Sequence, residues 1–247
     1  MEKLLYSKNA IVTGASSGIG YAIAKKLISE GAHVIITGRN EASLVKACSE
    51  LGNIDYMVWD ITDFDNCRIN IEKASMIFGG PVDILINNAG VLTPNDFNMN
   101  YLEITTDEWD YVMDINLKAT FFMCQNMAKH MLKNSVRGHI VNIASEMGLR
   151  PACVTYGISK WGVIGMTKGL GKMLANRGIV VNGIAPGAIT TEMMNWHEGD
   201  SIYRESHANK RFGFPDEIAN LAAFLCSGLG DNIIGEIITS DGGSSLH

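Results

Sequence analysis

Short β-branched runs alternate with longer stretches of helical periodicity along the whole chain. Residues 10–13, 34–37, 56–59, 84–86, 139–143, 180–184 and 233–239 read as seven strands. Most carry apolar residues at successive positions, as a parallel strand does when helices cover both its faces. Between them, helical spacing predicts helices at about 19–30, 41–51, 63–78, 106–133, 155–177 and 215–227. This alternation predicts an α/β fold: a doubly wound, seven-stranded parallel sheet with helices on both faces and right-handed crossovers. Neither a repeat nor a low-complexity linker interrupts it, so residues 1–247 are expected to form one domain. The least patterned stretch, 186–214, is too long for an ordinary connection and is expected to supply a substrate lid over 188–214.

Composition narrows the class. Of the 247 residues 47% are hydrophobic and 19% charged, which excludes intrinsic disorder. Lys plus Arg number 20 and Asp plus Glu 26, for a net charge of −6 without a basic stripe, so nucleic acid is not an expected partner. No uncharged apolar run reaches the ~18 residues of a membrane helix, and the chain enters its first strand too early for a signal peptide. Its five cysteines lack any C-x-x-C spacing, so neither a disulfide frame nor a metal site is expected, and a cytoplasmic setting is. Glycine, at 26 residues, exceeds the roughly 17 expected from a typical ~7% usage.

Part of that excess lies in Thr13-Gly14-Ala15-Ser16-Ser17-Gly18-Ile19-Gly20, between the first strand and an Ala-rich helix. Glycines there let the backbone turn sharply and approach a pyrophosphate, and the helix N-terminus offers free N–H groups to the anion. In this strand–turn–helix context the motif is the fingerprint of a Rossmann fold. The second strand ends in Thr37-Gly38-Arg39-Asn40, where an NAD-binding protein tends to place an acid. Gly38 stands there instead and Arg39 follows; a guanidinium pairs with a 2′-phosphate, so NADP(H) is favoured and NAD(H) is the alternative. Asp60, with Ile61 beside it, ends the third strand and either meets the adenine or caps the next helix.

Asn87-Asn88-Ala89-Gly90 closes the fourth strand, and Tyr156-Gly157-Ile158-Ser159-Lys160 lies 66 residues beyond Gly90. With the glycine turn, Asn182-Gly183-Ile184-Ala185-Pro186-Gly187 and Asp241-Gly242-Gly243, these make the chain resemble the single-domain short-chain dehydrogenase/reductase family over nearly its whole length. The resemblance implies Tyr156 as acid/base, Lys160 as its partner, Ser145 as the residue holding the substrate carbonyl and Asn116 in a proton relay. It also implies cofactor contacts at Gly14, Ser16, Ser17, Gly18, Ile19, Gly20, Asn87, Ala89, Gly90, Pro186, Gly187, Ile189 and Thr191. Residues four apart on a helix share a face, so Lys160 can sit near the Tyr156 phenol, and an ammonium there would lower a pKa that starts near ~10. Ser145 and Tyr156 are 11 residues apart, shorter than the family's usual spacing, which demands a tighter loop.

The expected activity is NADP(H)-dependent interconversion of a secondary alcohol and a ketone. A 3-oxoacyl thioester reductase acting on an acyl-carrier protein is the alternative, for which Lys129, Lys133, Arg137 and Arg177 offer a basic patch. A catalytically inactive NADP-binding sensor is the alternative of another class. Gly157, Gly162, Gly165, Gly169 and Gly171 on one helix permit close approach of backbones, and the resemblance implies that this helix meets its counterpart in a homodimer or homotetramer.

Overall fold

A computed structural model describes residues 3–246; residues 1, 2 and 247 of the expected domain lie outside the described residues. Seven parallel strands form one sheet: β1 (Asn9–Thr13), β2 (His33–Gly38), β3 (Asp55–Val58), β4 (Ile84–Asn87), β5 (Gly138–Ile143), β6 (Ile179–Pro186) and β7 (Ile237–Ser240). Their order is β3-β2-β1-β4-β5-β6-β7, with β1 paired to β2 on one side and β4 on the other. The winding direction therefore reverses between β1 and β4, the place where open α/β sheets bind ligands beyond their carboxyl ends.

The apolar runs bury both faces of the sheet. Val12, Val34, Ile36, Ile84 and Val141 face α1 (Gly18–Ser29), α2 (Glu41–Glu50) and, further on in the chain, the helix Pro215–Leu225. Ile11, Ile35, Leu85, Ile140 and Val181 face α3 (Cys67–Phe78) and the later helices Thr120–Lys133 and Thr155–Leu174. Between α3 and these lie α4 (Pro94–Phe97) and α5 (Thr106–Met113); the later three are α6, α7 and α8 in chain order. The expected sheet and both helical layers are thus present.

Three local differences have physical causes. The helix expected over 106–133 is interrupted by a π-helical turn at Asp114–Ala119, which joins α5 to α6. The expected seventh strand begins four residues late, because Gly235 adopts φ +69° against the Lys168 backbone and Glu236 N–H is taken by the Asn182 side chain. Helix α4 was not anticipated, although Thr93-Pro94-Asn95-Asp96 is a readable capping box with proline in the first turn.

The five glycines of α7 divide. Alanine at Gly171 would drive its Cβ into Gly235, and at Gly162 to within 2.7 Å of Leu117, so these serve packing inside the chain. Gly157 packs on Ala152, while Gly165 and Gly169 have nothing within 4 Å. Among the described residues no helix is long and apolar enough to cross a membrane.

Candidate active site

A cleft of about 1670 Å³ opens at the carboxyl ends of the strands. Ordinary ligand pockets hold roughly 300–1,000 Å³, so this one has room for a dinucleotide and a substrate together. Its floor is the seam between β1 and β4. Thr13 Oγ1 accepts from the N–H groups of Asn88 (3.0 Å) and Ala89 (3.1 Å), and Asn88 Nδ2 donates to the carbonyls of Thr13 and Gly14, both at 2.9 Å. Gly14 turns at φ +62°, and a Cβ there would come within 2.8 Å of the Ala89 Cα. Only glycine meets both demands.

Ser16, Ser17, Gly18 and Ile19 then border the cleft as α1 begins. No side chain caps this helix and no acid lies in its first turn. An uncapped, acid-free N-terminus on a cleft fits the diphosphate of a dinucleotide. Gly20, expected on the cofactor, instead admits the Asn88 side chain against the turn and does not border the cleft.

At one end of the cleft stand Gly38, Arg39, Asp60 and Ile61. A Cβ at Gly38 would meet only Leu44, at an ordinary 3.5 Å, so packing does not explain the missing acid. Arg39 is exposed and makes no ion pair with any described residue. Asp60 accepts from Thr62 N–H (2.9 Å) and hydroxyl (2.7 Å), forming a turn instead of capping α3. Burial raises its carboxyl pKa, but those two bonds and the Arg39 charge together bring it below the ordinary value.

Towards the centre, Ser145, Tyr156 and Lys160 come together on the cleft wall. Lys160 is only 4% exposed, donates to the Ile143 carbonyl at 2.9 Å and lies 5.7 Å from the Tyr156 ring centre. Burial pulls its ammonium down to about 8. Burial also pushes the Tyr156 phenol above its ordinary value; the Ser145 hydroxyl, in hydrogen-bonding position, pulls it back, and the charges of Asp96 and Glu146 push it further up. This is opposite to the lowering expected from a nearby ammonium. The lysine is itself desolvated and turned to a carbonyl, so loss of water governs both groups.

The short Ser145–Tyr156 loop is accommodated by a 3₁₀ turn, Glu146–Leu149, in which the Ser145 hydroxyl accepts from Met147 N–H at 3.2 Å. Gly148 lies so close beneath α7 that a Cβ would approach the Lys160 carbonyl carbon to 2.7 Å. Arg150 then clamps the loop, donating to Glu146 (2.9 Å) and to the Ser244 carbonyl and hydroxyl (2.8 Å each).

Two expected residues sit behind the cleft. Asn116, on the π turn, is fully buried: Oδ1 accepts from Val91 N–H at 2.8 Å, and Nδ2 donates to the Val91 carbonyl (2.8 Å) and Ser159 Oγ (3.1 Å). Its side chain fixes the chain beside Gly90, between Asn116 and Lys160. Asn87 points away from the cleft, donating to Asn142 Oδ1 at 2.9 Å inside the sheet layer. Its neighbour Asn88 borders the cleft instead, as strand alternation requires. Asp96, which no expectation included, also borders it.

Pro186, Gly187, Ile189 and Thr191 line the wall after β6, with Ala89 and Gly90 opposite. Gly187 lies against the Asp241 backbone, where a Cβ would come within 2.8 Å. Within 188–214, Met193, Met194, Trp196 and His197 border the cleft, whereas His207 and Phe212 are buried. Arg137 immediately precedes β5, Arg177 nearly abuts β6, and Lys133 ends α6, which places this basic group at the opposite end of the sheet from the cleft. Among the described residues no cluster of His, Cys, Asp or Glu could hold a metal ion.

Residues 8–200 match the short chain dehydrogenase family. The chain is 38% identical to the 3-oxoacyl-(acyl-carrier-protein) reductase of Aquifex aeolicus, over 98% of this chain and 99% of that protein. It is 35% identical to the gluconate 5-dehydrogenase of Gluconobacter oxydans, over 98% and 96%. Among solved structures, a short-chain type dehydrogenase/reductase from Mycobacterium marinum superposes with TM-score 0.89 at 28% identity, covering 100% of this chain and 98% of that one.

Lys160 carries a testable sign. Its folded pKa is below its unfolded value, so the buried ammonium weakens the fold at neutrality, and that penalty fades as pH rises from about 8 toward the ordinary lysine value. Lys160→Met should therefore stabilise the protein near neutrality, by on the order of 2 kcal/mol. Chemical denaturation should show the advantage shrinking toward pH ~10. An advantage that grows with pH would contradict the assignment.

Proposed function

The chain belongs to the short-chain dehydrogenase family and is an oxidoreductase, and we propose that it interconverts a secondary alcohol and a ketone with NADP(H). The convergence of the Ser145 hydroxyl, the Tyr156 phenol and the buried Lys160 on one cleft wall carries this reading. The bound cofactor would supply hydride to the carbonyl carbon. The protein's part is to hold and protonate the oxygen: Ser145 donates a hydrogen bond to it, and Tyr156 gives up its phenolic proton as the carbon–oxygen double bond becomes single. A phenol held protonated by burial suits a proton donor to the carbonyl oxygen.

Lys160 would restore charge balance when the phenolate forms, and Asn116 would keep Val91 and Ser159 in place behind it. The uncapped start of α1 receives the diphosphate, and Pro186, Gly187, Ile189 and Thr191 border the nicotinamide. Residues 188–214 act as the lid, with Met193, Met194 and Trp196 giving it an apolar inner face. The intact polar group speaks against an inactive NADP-binding sensor. A 3-oxoacyl thioester is a second reading of the substrate, favoured by what the Aquifex aeolicus relative reduces, although the basic group at the far end of the sheet cannot guide a carrier into this chain's own cleft. Five unpaired thiols accord with a reducing cytoplasm.

We also propose a homodimer or homotetramer built on α7. Trp161 (66% exposed) and Met173 (60% exposed) fall in the same four-residue spacing as Gly165 and Gly169, an apolar row flanking two open glycines.

Three measurements test these readings. NADPH oxidation across simple ketones, 3-oxoacyl thioesters and oxidised sugar acids should find turnover that Tyr156→Phe lowers by at least ~10²-fold; unchanged turnover would remove Tyr156 from its role. Arg39→Ala should raise the KM for NADPH about tenfold while barely touching NADH; equal losses would overturn the cofactor preference. Sedimentation at micromolar concentration should show a species larger than the 26.8 kDa chain, and a monomer would end the assembly proposal.

A further inference from the structure

One buried carboxylate borders the cleft outside the Ser145, Tyr156 and Lys160 group. Asp96 is 4% exposed and belongs to α4, on the wall that also presents Val91, Leu92, Phe97 and Met99. Its Oδ1 accepts from the backbone N–H of Tyr156 at 2.8 Å, across 60 residues of sequence. Its Oδ2 accepts from the N–H and the hydroxyl of Thr93, both at 3.0 Å.

The partner at Tyr156 is informative because α7 lacks a cap of its own. Valine occupies the N-cap position, Val154, no side chain there bonds the first turn, and no acid lies within it. A helix start normally has its free N–H groups answered by a side chain within three residues. Here the answer comes from the cleft wall, and it places a full negative charge at the positive end of the helix that carries Tyr156 and Lys160.

We propose that Asp96 is a positioning residue for Tyr156: it caps α7 from the substrate wall, and as a fixed negative charge near the phenol it favours the proton-donating form. This deepens the reading of Tyr156 as proton donor and rests on it. The groups facing the phenol are Lys160 on α7, Ser145 and Glu146 on the loop after β5, and Asp96 on α4. Glu146 is occupied by Arg150, which offsets its charge, whereas the acceptor bonds of Asp96 come only from neutral donors. Of the two carboxylates in the set, Asp96 is therefore the one whose charge is not offset, and it acts in the direction that keeps the phenol protonated. It also joins this wall of the cleft to the helix of Tyr156 by one hydrogen bond.

The decisive variant is Asp96→Asn, which keeps an oxygen for Tyr156 N–H and removes the charge. Ketone reduction needs a protonated phenol, so its rate falls as pH rises through the phenol's pKa. Loss of the charge lowers that pKa, and the alkaline limb should move to lower pH by on the order of one unit. The phenol can also be read without turnover, as the near-ultraviolet titration of each protein minus that of its Tyr156→Phe counterpart; it should move the same way. Asp96→Glu, which keeps the charge, should restore the parent's titration. Thr93→Ala weakens α4 but leaves the charge, so it should lower thermal stability with the limb unmoved. Asp96→Ser replaces the asparagine variant if that one does not fold. A neutral variant that loses stability while its limb and phenol titration overlay the parent's overturns the proposal. Absence of turnover on every ketone would instead sink the proposed activity, leaving the phenol titration to judge Asp96.

Discussion

The contact on which everything else rests is the approach of the turn after β1 to the end of β4. Gly14 and Ala89 come so near that a single methyl group does not fit between them, and Thr13 and Asn88 lock the seam with four hydrogen bonds. This is also where the sheet reverses its winding, so helices diverge to opposite faces and leave the crevice open. The start of α1, the Ala89–Gly90 wall and the Lys160 side chain beyond it all take their positions from this seam. The same hydrogen bonds that close the backbone account for Asn88, and the α1 amides that border the cleft are left without a side-chain cap.

Removal from water is the second organising force. It acts in opposite senses on two neighbours, raising the Tyr156 phenol and pulling the Lys160 ammonium down to about 8. Both shifts run toward the uncharged forms: the phenol is held protonated, while Lys160, at about 8, still carries its proton at neutrality. That arrangement is a strained one for the fold, since a lysine at 4% exposure satisfies one hydrogen with the Ile143 carbonyl and gains no counter-ion.

Much of this was legible in the chain. Strands buried on both faces announce themselves as continuous β-branched runs, and the glycine turn and Tyr156–Lys160 spacing locate the cleft. What escaped were features decided by contacts between distant segments. Asn87 and Asn88 look equivalent in sequence; the pleat sends one into the sheet layer and the other to the seam. Gly235 delays the start of a run that reads as strand, because the α7 backbone packs against it. The direction of the Tyr156 shift depends on burial and on Asp96, sixty residues away, and no local spacing encodes either. The Thr93–Asp96 capping box was written plainly in the sequence, but its four-residue helix is too short for periodicity to register.

Asp241 and Ser244 bear on when the cleft is complete. Arg150, which clamps the loop after Ser145, holds on to Ser244, and Gly187 rests against Asp241. The paired centre of the sheet, β1 with β2 and β4, is complete by Asn87, while both braces behind the cleft are supplied by Asp241 and Ser244. During synthesis the early strands can assemble as they emerge, yet the pocket's rear wall waits for Asp241 and Ser244 to follow. A nascent or truncated chain would then hold the paired centre of the sheet with a slack loop after Ser145, a built-in order in which scaffold precedes cleft.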